Sequence, residues 1–89
     1  MTGTDTQKFI DYYERSERPP ERMHKLYLAA LVASLEALAN EPHRTPHDTL
    51  RIIRHARQIY HRLQRCADAG SPWLKKGRRA YLRAWIPFL

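Results

Sequence analysis

The sequence predicts an all-α domain, a small four-helix bundle with a central buried second helix and a long basic third helix. Three observations lead there. Residues 26–39, LYLAALVASLEALA, hold only Ser34 and Glu36 as polar residues and contain neither Gly nor Pro; Ala and Leu are strong helix formers. Three other segments repeat apolar residues at helical spacing, two of them behind a Thr-Pro or Ser-Pro start. No segment alternates as a strand would, and Val occurs once. Eighty-nine residues suit one domain, spanning 1–89.

The first helix is expected over 4–15, with Thr4 as its cap and Gln7 completing a capping box. Phe9, Tyr12 and Tyr13 share an apolar arc with Ile10 at its edge, while Lys8, Asp11, Glu14 and Arg15 point outward. The link Ser16-Glu17-Arg18-Pro19-Pro20 stops it, because a residue before proline is pushed out of helical geometry. Pro20 fits the first turn of the second helix, expected over 20–39.

That second helix is apolar nearly all round, with Lys25 and Glu36 on one narrow polar strip and Arg22 and Asn40 at its edge. Such a helix is a membrane span or the centre of a bundle. A span needs about 20 apolar residues. This run is shorter and carries His24 and Lys25 in its first turns, so a buried central helix is expected.

The third helix is expected over 46–69, behind Thr45 as N-cap, Pro46 as first residue and Asp48 in the first turn. Gly70 would close it in left-handed geometry. Ile52, Ile53, Ala56, Ile59, Tyr60, Leu63, Cys66 and Ala67 occupy one arc of about 140°. Arg51, Arg54, Gln58, His61, Arg62 and Arg65 form the opposite stripe, flanked by His55 and Arg57. The fourth helix follows Ser71 over 72–86. Trp73, Leu74, Gly77, Ala80, Tyr81, Ala84 and Trp85 lie on one side; Lys75, Lys76, Arg79 and Arg83 lie on another. Gly77 costs about 0.8–1 kcal/mol relative to Ala inside a helix, which a close helix contact or a bend would justify. Pro87 ends the helix and leaves Phe88-Leu89 as an apolar tail.

Charge is segregated along the chain. Residues 1–49 carry six Lys/Arg and eight Asp/Glu; residues 50–89 carry ten Lys/Arg and one acid, Asp68. The overall charge of +7 therefore comes from the second half. A lopsided basic half implies an anionic partner. Cys66 is the lone cysteine, as suits a reducing compartment. The N-terminus MTGTDTQKF lacks the apolar core of a secretory signal, so a cytoplasmic protein is expected, without a membrane partner.

Chemistry-bearing constellations are scarce. His43 and His47 are four apart, but Pro42 and Pro46 put His43 in a loop. His55 and His61 lie about 120° apart around their helix. Neither pair makes a metal site, and no metal or cofactor is expected. Cys66 falls on an apolar arc and reads as a core residue. The carboxylates do not converge, and Gly3, Gly70 and Gly77 make no phosphate loop. The expectation is a non-catalytic binding module, not an enzyme.

Its expected site is the basic pair of helix faces: Arg51, Arg54, Gln58, His61, Arg62 and Arg65, then Lys75, Lys76, Arg79 and Arg83. Arginine offers bidentate donors to phosphate or carboxylate. The partner read first is nucleic acid, bound through its phosphate backbone, or a nucleoprotein complex. The long third helix and the glycine-free connector before it depart from a helix-turn-helix. Tyr60, Trp73, Tyr81 and Trp85 fall on apolar arcs, away from positions that would stack bases. The alternative is a protein-binding inhibitor or adaptor docking on an acidic surface of a larger protein. Small phage-encoded host-takeover and anti-CRISPR proteins work in that way, an analogy of size and role. Leu82, Trp85, Ile86, Phe88 and Leu89 also suggest a homodimer through the C-terminal helix.

Overall fold

Four helices form where capping and apolar spacing put them: α1 (Gly3–Arg15), α2 (Glu21–Ala39), α3 (Pro46–Cys66) and α4 (Pro72–Ala84). The computed structural model describes residues 3–16 and 21–86, without the side chains of 3–5. The expectations for Pro20 and for the Pro87-Phe88-Leu89 end lie outside the described residues. No strand occurs among the described residues.

α2 is the hub. It packs against α1, α3 and α4, and α3 and α4 also pack on each other. Its Tyr27, Leu28, Ala30, Leu31, Val32 and Leu35 are buried, joined by Ile52, Ile53, Ala56 and Leu63 of α3, Ala80 and Ala84 of α4, and Ile10 of α1. α2 is nevertheless not buried all round. Arg22, Lys25, Leu26, Ala33, Glu36 and Ala37 are exposed along its fourth side. Three neighbours cannot enclose a whole helix, and alanine leaves little apolar area in water. No described helix is long and apolar enough to cross a membrane.

The register is set by aromatic pairs. Tyr13 of α1 stacks on Tyr27 of α2 at 4.0 Å between centroids. Tyr60 of α3 stacks on Tyr81 of α4 at 4.7 Å. Gly77 sits at the same contact: a Cβ there would overlap Leu63 Cδ2 and lie 3.4 Å from Leu35 Cδ1. The glycine is therefore the close-approach residue where α2, α3 and α4 converge, and a bend is not needed to explain it.

Thr45 caps α3 by accepting from the Asp48 amide at 3.1 Å, and Ser71 caps α4 by accepting from the Trp73 amide at 3.3 Å. Three helix ends differ from expectation. α1 begins at Gly3, so Thr4 lies inside the helix, not at its cap. α3 stops at Cys66, three residues early. Ala67 turns extended, its amide donates to Leu63 O, and the Ser71 amide closes a turn on Asp68 O. This reversal needs no left-handed residue, and no described glycine has positive φ, Gly70 included. α4 ends at Ala84, with the Trp85 amide tightening the last turn onto Leu82 O at 3.1 Å.

Candidate functional site

The basic stripe of α3 divides once the neighbours are in place. Tyr60 marks the side of α3 that faces α4. At about 100° per residue, Arg57 and Gln64 lie within about 60° of Tyr60; His61, Arg54 and Arg65 follow in the same direction at about 100–140°. Arg51, Gln58 and Arg62 lie about 160–180° from Tyr60, on the side toward α1. Gln58 and Arg62 there line a surface depression with Gln7, His55 and Ile59.

α4 divides likewise about Tyr81. Trp85 and Arg78 stand about 40° and 60° from it, and Leu82 and Lys75 about 100–120°. Because α3 and α4 run antiparallel, these offsets open on the same side. One surface therefore gathers Arg54, Arg57, His61, Gln64 and Arg65 of α3 with Lys75, Arg78, Leu82 and Trp85 of α4. All are exposed except Trp85, which is half-buried. Lys76, Arg79 and Arg83 are exposed on the remaining flank of α4, about 140–160° from Tyr81.

The ten residues expected on two helix faces thus fall into three groups. Arg51 and Arg62 have structural partners. Arg51 Nη2 meets Glu41 Oε1 at 2.5 Å, which ties the connector to α3. Glu41's hydrogen bond and charge raise the Arg51 pKa, so the guanidinium stays charged. Arg62 Nη1 lies 3.5 Å from Glu14 Oε1, the same oxygen that accepts from the Tyr27 hydroxyl at 2.9 Å. Tyr13 and His24 share a hydrogen bond beside it at 2.9 Å. This knot fastens α1 to α2 and α3. Burial, then the Glu14 hydrogen bond and charge, push the Tyr27 pKa well above its ordinary value. Burial chiefly raises that of Tyr13 too.

The other cations of the two helices make no ion pair among the described residues: Arg54, Arg57, Arg65, Lys75, Arg78, Arg79 and Arg83. Lys76 Nζ lies 4.9 Å above the Trp73 ring, a cation–π arrangement. α4 has no acidic residue, and α3 has only Asp48, in its first turn. A surface with so many unneutralised cations attracts anions whatever their source.

Arg57 and Arg78 were not among the residues expected from sequence. The signal for them was present: each lies three residues before the tyrosine of the α3–α4 stack. What was lacking was which aromatic pair would meet. Tyr60, Trp73, Tyr81 and Trp85 are all half-buried, not enclosed. Tyr60, Trp73 and Tyr81 pack against the core, and Trp85 meets Tyr81 edge-on at 6.2 Å. Tyr60, Tyr81 and Trp85 thus lie at or beside the α3–α4 seam that the cations border, whereas Trp73 lines a depression with His24, Lys25 and Leu28 of α2.

Of the histidines, His43 is engaged with the Thr49 hydroxyl at 3.1 Å, and His24 belongs to the α1 knot. Among the described residues no three His, Cys, Asp or Glu side chains gather as a metal site would need. Cys66 is a half-buried free thiol. The chain matches no known protein family, no curated protein and no solved structure.

Proposed function

We propose that this domain is a non-catalytic binding module that contacts the phosphate backbone of nucleic acid through the shared α3–α4 surface. One observation carries the reading: Arg54, Arg57, Arg65, Lys75 and Arg78 open on one side, without an internal ion pair or an intervening acid. His61 and Gln64 add hydrogen-bonding capacity between them. Two packed helices, each about 10–12 Å across, make a face wider than the major groove at about 12 Å. The pair therefore lies against backbones and does not insert to read base edges, and phosphate contacts carry no sequence information. A free thiol at Cys66 suits a reducing cytoplasm.

Titration of labelled oligonucleotides across salt tests this. Five phosphate contacts on duplex DNA give a slope of log K against log[salt] near about −4 to −5. Arg54→Ala with Arg65→Ala is expected to weaken binding to all sequences alike and to flatten that slope. Absence of binding to DNA or RNA at 50 mM salt refutes the reading.

The second reading is an inhibitor or adaptor that docks on an acidic protein surface. Leu82 and Ile86 favour it: they are 55% and 59% exposed in the midst of the α4 cations, and interface centres combine apolar residues with arginine. A homodimer through α4 would use the same two side chains. It would also bring Lys75, Lys76, Arg78, Arg79 and Arg83 against a second set of like charges. α4 therefore suits an acidic partner better than a copy of itself.

A further inference from the structure

We infer that the nucleic acid held on the α3–α4 surface is single-stranded and lies along the seam between the two helices. This rests on the proposed function above and goes beyond it by naming the strand state and the contact that selects it. The seam is aromatic. Tyr60 stacks on Tyr81 at 4.7 Å, and Tyr81 meets Trp85 edge-on at 6.2 Å. The three rings form a continuous run and each is half-buried; Trp85, about 40° from Tyr81 in the direction of Arg78 and Leu82, lies toward the open side. Cations stand on both banks: Arg57 three residues before Tyr60, Arg78 three residues before Tyr81, with Arg65 and Lys75 farther out.

A single strand has phosphates along one side and unpaired bases along the other. Laid in the seam, it sets its backbone against one bank and its bases over the rings, where Arg57 and Arg78 guanidinium planes also stack. Cationic grooves lined by aromatic rings hold single strands in this sequence-tolerant manner. A duplex keeps its bases stacked inside and gains only backbone contacts from this surface, leaving the aromatic run unused. The seam thus adds affinity for one form and none for the other.

The test compares three probes of equal length: oligo(dT), oligo(U) and a mixed-sequence DNA duplex. Binding is read by anisotropy between 50 and 200 mM salt. Emission of Trp85 is read in a Trp73→Phe variant that keeps its helical circular dichroism; should that variant lose helix, the ¹⁹F resonance of Trp85 in fluorotryptophan-labelled wild type, assigned by its loss in Trp85→Ala, is read instead. A single strand is expected to bind at least about tenfold tighter than duplex and to quench or shift Trp85. Trp85→Ala is expected to cost single-strand affinity about 5- to 150-fold, the range for loss of one base stack, and to leave duplex affinity unchanged. Arg57→Ala with Arg78→Ala, both exposed, is expected to flatten the single-strand salt slope by about 1.4. Duplex binding as tight as single-strand binding, or an unmoved Trp85 signal at saturation, overturns the seam inference and leaves the backbone reading standing. Failure of all three probes to bind overturns both and points to the acidic-protein partner.

Discussion

Single residues carry much of the fold's stability. Leu31 and Leu35 are fully buried at the centre of the core. A carboxylate there has no partner and costs several kcal/mol, on the order of the whole stability of so small a domain. Leu31→Asp and Leu35→Asp are expected to abolish helical circular dichroism at 25 °C, whereas Glu36→Ala, on the open side of α2, leaves it unchanged. Gly77 is a balance of two effects. Alanine there recovers about 1 kcal/mol of helix propensity, but its methyl overlaps the terminal Cδ2 of the fully buried Leu63, which must shift within the core, and overpacking costs about 1–3 kcal/mol. Gly77→Ala is expected to lose about 1 kcal/mol net, read as a Tm lower by about 4–8 °C. Tyr27 and Tyr13 make a prediction in pH. Their folded pKa values are raised, so the unfolded chain releases these protons first, near about pH 10. Stability is therefore complete below that pH and falls as pH rises through the folded values. Urea midpoints at pH 8, 10 and 11 are expected to drop progressively, and to drop less in Tyr27→Phe.

Whole helices were largely legible from sequence because their signals are local. Thr45-Pro46 and Ser71-Pro72 mark helix starts by short-range chemistry, and the apolar arcs of α3 and α4 predict which sides are buried. What was not legible depends on neighbours. The open side of α2 follows from having three packing partners, a fact its Ala-rich sequence does not encode. Gly70 looked like a left-handed terminator, yet a turn at Asp68–Ser71 makes the reversal instead. The basic stripe of α3 looked uniform because a wheel does not show that Glu14 and Glu41 come from elsewhere to claim Arg62 and Arg51. The element-scale expectation follows from that division. Arg51→Ala with Arg62→Ala is expected to leave oligonucleotide affinity within about twofold of what two lost distant charges cause through screening, while Arg54→Ala with Arg65→Ala weakens it by far more. The same titrations read both pairs. Equal effects from the two pairs would show that the stripe acts as one site after all.

At the scale of the molecule, the exposed Leu82 and Ile86 set the two partner readings against self-association. Light scattering from about 10 µM to about 1 mM, which spans a weak contact, is expected to report a monomer at low salt, where the cations of α4 repel. A dimer that persists at low salt would mean that the apolar pair outweighs this repulsion.

The segregation of charge has a consequence for motion before any contact is made. α1, α2 and the connector that follows α2 hold six of the nine acids, and α3 and α4 hold ten of the sixteen Lys and Arg residues. The folded chain is therefore an electric dipole, with α1 and α4 on different flanks of α3. In the field of a polyanion such a body feels a torque as well as an attraction, and it turns until its cationic side leads. Encounters become productive more often than random tumbling allows. Salt should then act mainly on the rate of arrival, while departure, governed by the short-range contacts along α3 and α4, changes much less. Stopped-flow association at several ionic strengths would separate the two.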